Sequence, residues 1–159
     1  VEAQDSGYKS DDIFEYLGLS YASLGKTSES IAAFTEALLV RESDSLLLSI
    51  AEQYSKAGQK SAAKQYLHRV ITQDDDESLV LRSRLLLARI YVEEKDFSSA
   101  RKEFEAILQK NENSADAHYG LGVVYEQQGD LVRARAEWRK ALRLQINHPD
   151  ALKKISEYK

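Results

Sequence analysis

Four tyrosines, Tyr21, Tyr54, Tyr91 and Tyr125, stand 33, 37 and 34 residues apart, and four other sets of residues keep the same three intervals. Leu17, Ile50, Leu87 and Leu121 form one set, and Gly18, Ala51, Ala88 and Gly122 form a second that is always small. Phe34, Leu67, Phe104 and Trp138 are large, while Ala37, Val70, Ile107 and Ala141 are small to medium and apolar. Five chemically matched columns in one register mark an internal repeat, and a period of this length points to stacked structural units. At 159 residues, the chain has room for one short array and hardly for two independent domains.

Within each unit the apolar positions fall at helical spacing, as in Leu17, Tyr21 and Leu24, and again in Ile31, Phe34, Ala37 and Leu38 after a break. Two amphipathic helices per unit follow. The break falls at Gly25, Gly58, Lys95 and Gly129, where a left-handed residue ends a helix. Lys95 fills that corner without glycine, so strain or a different shape is expected there. The small column lets the first helix of a pair approach its neighbour, and the large residue of the second helix fills the space beyond. Gly120 and Gly122 are therefore packing residues; no strand precedes them and no third glycine completes a phosphate loop. The three extra residues of the second interval lie between Val70 and Leu87, around QDDDES, with Asp76 or Ser78 capping the next helix. The residue missing from the first interval falls in the RESDS connection.

These columns carry a resemblance: the chain from residue 11 to 159 resembles a tetratricopeptide repeat protein. The fourth unit fits best, through Leu121-Gly122, Tyr125, Ala134, Trp138 and Ala141, although Ile146 replaces the family proline. The first fits through Leu17-Gly18, Tyr21, Phe34 and Ala37, and the third through Leu87-Ala88, Tyr91, Ala100 and Phe104. The second is weakest, with Leu67 where an aromatic is usual. The resemblance implies an all-α, right-handed superhelix of four helix-turn-helix repeats, about 11–43, 44–80, 81–114 and 115–148. A tail at 1–10 precedes a single repeat domain, and a capping helix at 149–159 covers the last open face.

The net charge of -4 disfavours a phosphate backbone as main partner, and no apolar run approaches the ~20 residues of a membrane span. Without cysteine there is no disulfide, thiolate zinc site or cysteine nucleophile. His68, His118 and His148 lack zinc-site spacing and read as surface or packing residues. The run Asp74-Asp75-Asp76-Glu77 lacks a calcium-loop pattern and reads as a solvated connection. No hydrolase elbow, nucleotide loop or cofactor motif is present, so neither catalysis nor a cofactor is expected. The start at Val1 and the lack of methionine imply a processed or excised piece, compatible with a cytoplasmic or a bacterial envelope (periplasmic) setting.

In the family the resemblance names, first helices line the concave surface where ligands usually lie. Carried over to this chain, that surface presents Glu15 and Leu19, then Leu48, Glu52 and Ser55, then Arg82, Leu85, Arg89 and Val92. Tyr119, Val123 and Glu126 follow, with Lys153 from the cap. The family's chaperone clamp would fall on Glu15, Leu19, Ser49, Arg82 and Leu86, of which only Arg82 matches. One unit on, Leu48, Glu52, Leu86, Asp116 and Gly120 fit no better, so a clamp of that type is rejected. The expected partner-binding set is Leu48, Glu52, Arg82, Leu85, Arg89, Tyr119, Val123 and Glu126. It suits a protein or peptide partner with acidic and apolar residues. Self-association through apolar first helices, and a regulatory domain of a larger protein, are the alternatives.

Overall fold

The computed structural model describes residues 10–158; all of the expected 1–10 tail except Ser10 lies outside them, as does Lys159. Among the described residues there are nine helices and no strand. They are α1 (Ser10–Ser23), α2 (Thr27–Val40), α3 (Asp44–Lys56), α4 (Lys60–Gln73), α5 (Glu77–Glu93), α6 (Phe97–Lys110), α7 (Ala115–Gln127), α8 (Leu131–Leu144) and α9 (Pro149–Glu157). Two compact units divide the chain, one ending at Ser83 and the other beginning at Arg84, so the boundary falls inside α5.

Ring-against-glycine packing joins the helices of the first and fourth pairs. A Cβ built on Gly18 would lie closer than 3.0 Å to the Phe34 ring, and one on Gly122 equally close to Trp138. Phe34 and Trp138 are fully buried, at 1% and 0% exposure. Because dense interiors leave no room for a displaced ring, an alanine at either glycine would force the pair apart. In the first pair a second bond reinforces this contact. The Ser30 hydroxyl donates to the Gly18 carbonyl at 2.7 Å in a buried position that Ala63, Ala100 and Ala134 occupy in the other second helices.

Around Phe34 gather Ala37, Leu46 and Ile50, with Phe14, Tyr54 and Tyr66 at the edge. Tyr54 and Tyr66 stack at 5.7 Å. Around Trp138 gather Ala115, Ala134, Ala141 and Ala151. There α9 closes the core, with the Tyr158 ring stacked on the indole at 5.8 Å.

The four corners within the helix pairs share one hydrogen-bond pattern. The N–H groups of Lys26, Gln59, Asp96 and Asp130 donate to the carbonyls of Tyr21, Tyr54, Tyr91 and Tyr125, at 2.8 to 2.9 Å. Those of Gly25, Gly58, Lys95 and Gly129 donate to the carbonyls of Ala22, Ser55, Val92 and Glu126. This paired closure satisfies helix-end carbonyls and requires a left-handed residue. Lys95 adopts φ 62° and keeps the pattern, so its corner is strained and not reshaped. Asp96 and Asp130 then cap the following helices through Ser99 N–H and Arg133 N–H, which Lys26 and Gln59 do not do.

The extra residues of the second interval are helical. Helix α5 starts fourteen residues ahead of Tyr91, whereas α3 and α7 start ten ahead of Tyr54 and Tyr125. The insertion is thus an added turn at the amino end of α5, and the loop before it, Asp74 to Asp76, is as short as Arg41 to Ser43. Asp76 caps α5 by accepting the Leu79 N–H at 3.2 Å. Acidic crowding nearby has a cost: burial, then Asp75, Glu42 and Asp76, raise the pKa of Asp44, whose carboxylate lacks a hydrogen-bond partner among the described residues.

Two stability measurements follow from this packing. Trp138→Ala is expected to lose about 3–5 kcal/mol in urea unfolding, the range for deleting a buried aromatic. Lys95→Gly is expected to gain about 1 kcal/mol, seen as a higher midpoint at unchanged slope, by removing left-handed strain at some entropic cost.

Candidate functional site

Of the eight residues expected to meet a partner, three belong to the first unit. Leu48 is a correction to the expected surface: it is 2% exposed, packed into the core where it offers nothing to a ligand. Arg82 is exposed and reaches Glu52 at 3.3 Å. Ion pairs this exposed contribute little to stability, so the Arg82 guanidinium stays exchangeable.

Leu85, Arg89, Tyr119, Val123 and Glu126 belong to the second unit, and three of them meet at one hollow. A cavity of about 210 Å³ lies between the carboxyl half of α5 and α7, lined by Arg89, Val92, Glu93, Phe104, Asp116, Tyr119, Gly120 and Val123. Leu85 is half-buried and does not line it. Helical spacing puts Arg89 and Val92 on one side of α5, and Asp116, Tyr119, Gly120 and Val123 on the facing side of α7. The floor is the Phe104 ring, held against the backbone at Gly120, where a Cβ would lie closer than 3.0 Å. Tyr119 is half-buried at the wall. Burial first, and then the charge of Asp150, raise its pKa against the opposing Lys154 and Arg89, so its phenol stays a neutral donor.

Asp116 is tied to the end of the chain. His148 is buried and caps α9: its Nδ1 accepts the Ala151 N–H at 3.2 Å, and its Nε2 lies 2.8 Å from Asp116 Oδ1. With Nδ1 accepting, the proton sits on Nε2 and is donated to the carboxylate. His118 pairs with Glu137 at 2.7 Å, and His68 is exposed. Among the described residues no three metal-binding side chains converge, and no helix is long and apolar enough to cross a membrane.

Glu126 is spent on the cap. It accepts from Lys154 Nζ at 2.8 and 3.0 Å and from the Tyr158 hydroxyl at 2.6 Å, while Arg135 donates to the Tyr158 carbonyl at 2.9 Å. Burial alone would lower the Lys154 pKa, but the hydrogen bond and charge of Glu126 outweigh it and raise it. The same hydrogen bond, aided by burial, raises that of Tyr158. Both protons are held more tightly in the folded state, so the cap's contribution is complete below the ordinary values near pH ~10 and is lost as pH rises through the raised ones. Trp138, the chain's one tryptophan, reports the change. Its emission is expected to shift to the red above pH ~10 as α9 lifts away, and Glu126→Gln to flatten that step.

Paired antiparallel helices, repeated in register and closed by a capping helix, define a helical-repeat protein with an apolar, charge-rimmed hollow on its first-helix face. Models described as tetratricopeptide repeat match residues 17–44, 45–76 and 85–151. The chain belongs to the tetratricopeptide repeat family, a protein-interaction fold. Over 53 residues it is 40% identical to the probable biofilm formation methyltransferase WspC of Pseudomonas putida. That segment is 33% of this chain and only 12% of WspC.

Among solved structures, YrrB, described as a TPR protein with an unusual peptide-binding site, superposes with a TM-score of 0.78 at 23% identity, covering 96% of this chain and 76% of YrrB. MamA from Desulfovibrio magneticus gives 0.75 at 15% identity over 86% of this chain and 76% of its own. A tetratricopeptide repeat protein from Parabacteroides merdae gives 0.78 at 15% over 90% and 56%. At such identities the likeness is one of fold.

Proposed function

We propose that this chain is a noncatalytic interaction module that holds a segment of another protein on its first-helix face, with α5 and α7 as the principal contact. The observation that carries this reading is the hollow that gathers Arg89, Tyr119 and Val123, apolar within and charged at its rim. Hollows of this kind, lined by apolar groups with a few oriented polar ones, are where ligands sit. The likeness to YrrB, a protein of the same fold described as having an unusual peptide-binding site, supports it. Arg82 and Arg89 favour acidic character in the partner, and Arg89 is the stronger candidate because Glu52 already attends Arg82.

A random dodecapeptide library displayed on phage, panned on the 159-residue chain, tests the reading. Selected peptides are expected to shift amide signals of α5 and α7, and to bind Arg82→Glu/Arg89→Glu at least tenfold more weakly while the helical spectrum and melting stay unchanged. No enrichment over bare support, or equal binding to the double variant, would retire it.

A further inference from the structure

Resting on that reading, we infer that the hollow between α5 and α7 takes one large apolar side chain of leucine to phenylalanine size, with an acidic side chain one or two residues away that reaches Arg89. Size is the first argument. Apolar cavities of about 150 Å³ admit a benzene ring, so about 210 Å³ holds a branched aliphatic or a benzyl side chain, whereas alanine or serine would leave most of it empty. Gly120 lets the Phe104 ring lie against the α7 backbone and form the floor; the register positions matching it hold Tyr16, Ser49 and Leu86, so a floor of this kind belongs to this place and not to the repeat in general.

Charge is the second argument. Three charged residues surround the opening, and two are acidic, which by count would favour a basic ligand. Their engagements reverse that count. Asp116 accepts a hydrogen bond from His148, and Glu93 already has a partner. Arg89 stands exposed at the rim beside Tyr119, whose neutral hydroxyl adds a second donor for a carboxylate or a peptide carbonyl.

Peptides selected as above, synthesised with amidated ends so that side chains supply the only carboxylates, are titrated calorimetrically. A shared large apolar residue followed closely by Asp or Glu is expected, and alanine at the apolar position should weaken binding at least tenfold. Val123→Phe, which narrows the hollow, should weaken it similarly, and a peptide whose acid is changed to lysine should regain affinity for Arg89→Glu. Selected peptides without a common apolar residue, with a basic one in the second place, or with unchanged affinity for Val123→Phe would overturn the pocket while leaving the interaction reading standing. Failure to select any peptide would overturn both. Should Val123→Phe melt early, the methyl signals of Val92 and Val123 decide instead: perturbation on titration supports the pocket, and silence overturns it.

Discussion

The contact on which the rest depends is a ring lodged against a helix backbone that carries no side chain. Gly18 receives Phe34, and Gly122 receives Trp138. The gain is dispersion and the exclusion of water over a flat surface of large area. Its geometric consequence matters more than its energy, because so close an approach fixes how the two helices of a pair cross. With that crossing set, the side of α7 that bears Asp116, Tyr119 and Val123 has a fixed direction, and the hollow beside α5 inherits its shape.

The corners perform a second task with equally little material. Each corner within a helix pair uses one left-handed residue and two carbonyls, and none spends more than a few residues. Short corners keep paired helices antiparallel and in register, and Asp96 and Asp130 use the same residues to start the next helix. In the last pair the economy extends to the terminus. His148 at once caps α9, bonds Asp116 and packs on Tyr119 at 5.3 Å, so the wall of the hollow and the closing helix share a side chain.

Most of the fold was legible because spacing records it. Columns of small and large residues foretold which ring meets which glycine, and the glycine positions foretold the corners, Lys95 included. What spacing does not record is phase around a helix axis and competition among neighbours. Leu48 falls on the inner face by simple projection, yet lies in the core, since a helix apolar on several sides has more than one face to bury. Glu126 was projected outward and is claimed by Lys154 and Tyr158, which only the folded cap brings near. Asp116 surfaced in the sequence only as a poor match to a charged clamp, and Gly120 as that and as a packing residue. The signal for the hollow's floor was there, as a glycine in a column otherwise filled by tyrosine, serine and leucine, but which ring takes the space of a missing side chain shows only once its surroundings are known.

The added turn of α5 carries a lesson about how such a chain tolerates change in length. Four residues advance a helix by about 6 Å and rotate it by little more than one revolution, so Leu87 and Ile90 remain buried despite the added turn. One or two residues placed there would have swung those side chains through more than a quarter of a circle. Length in such an array is therefore quantised by helical pitch: insertions within a helix survive in whole revolutions, and odd remainders must be absorbed by connections, as the four-residue segment 111–114 beside the three-residue one at 74–76 illustrates.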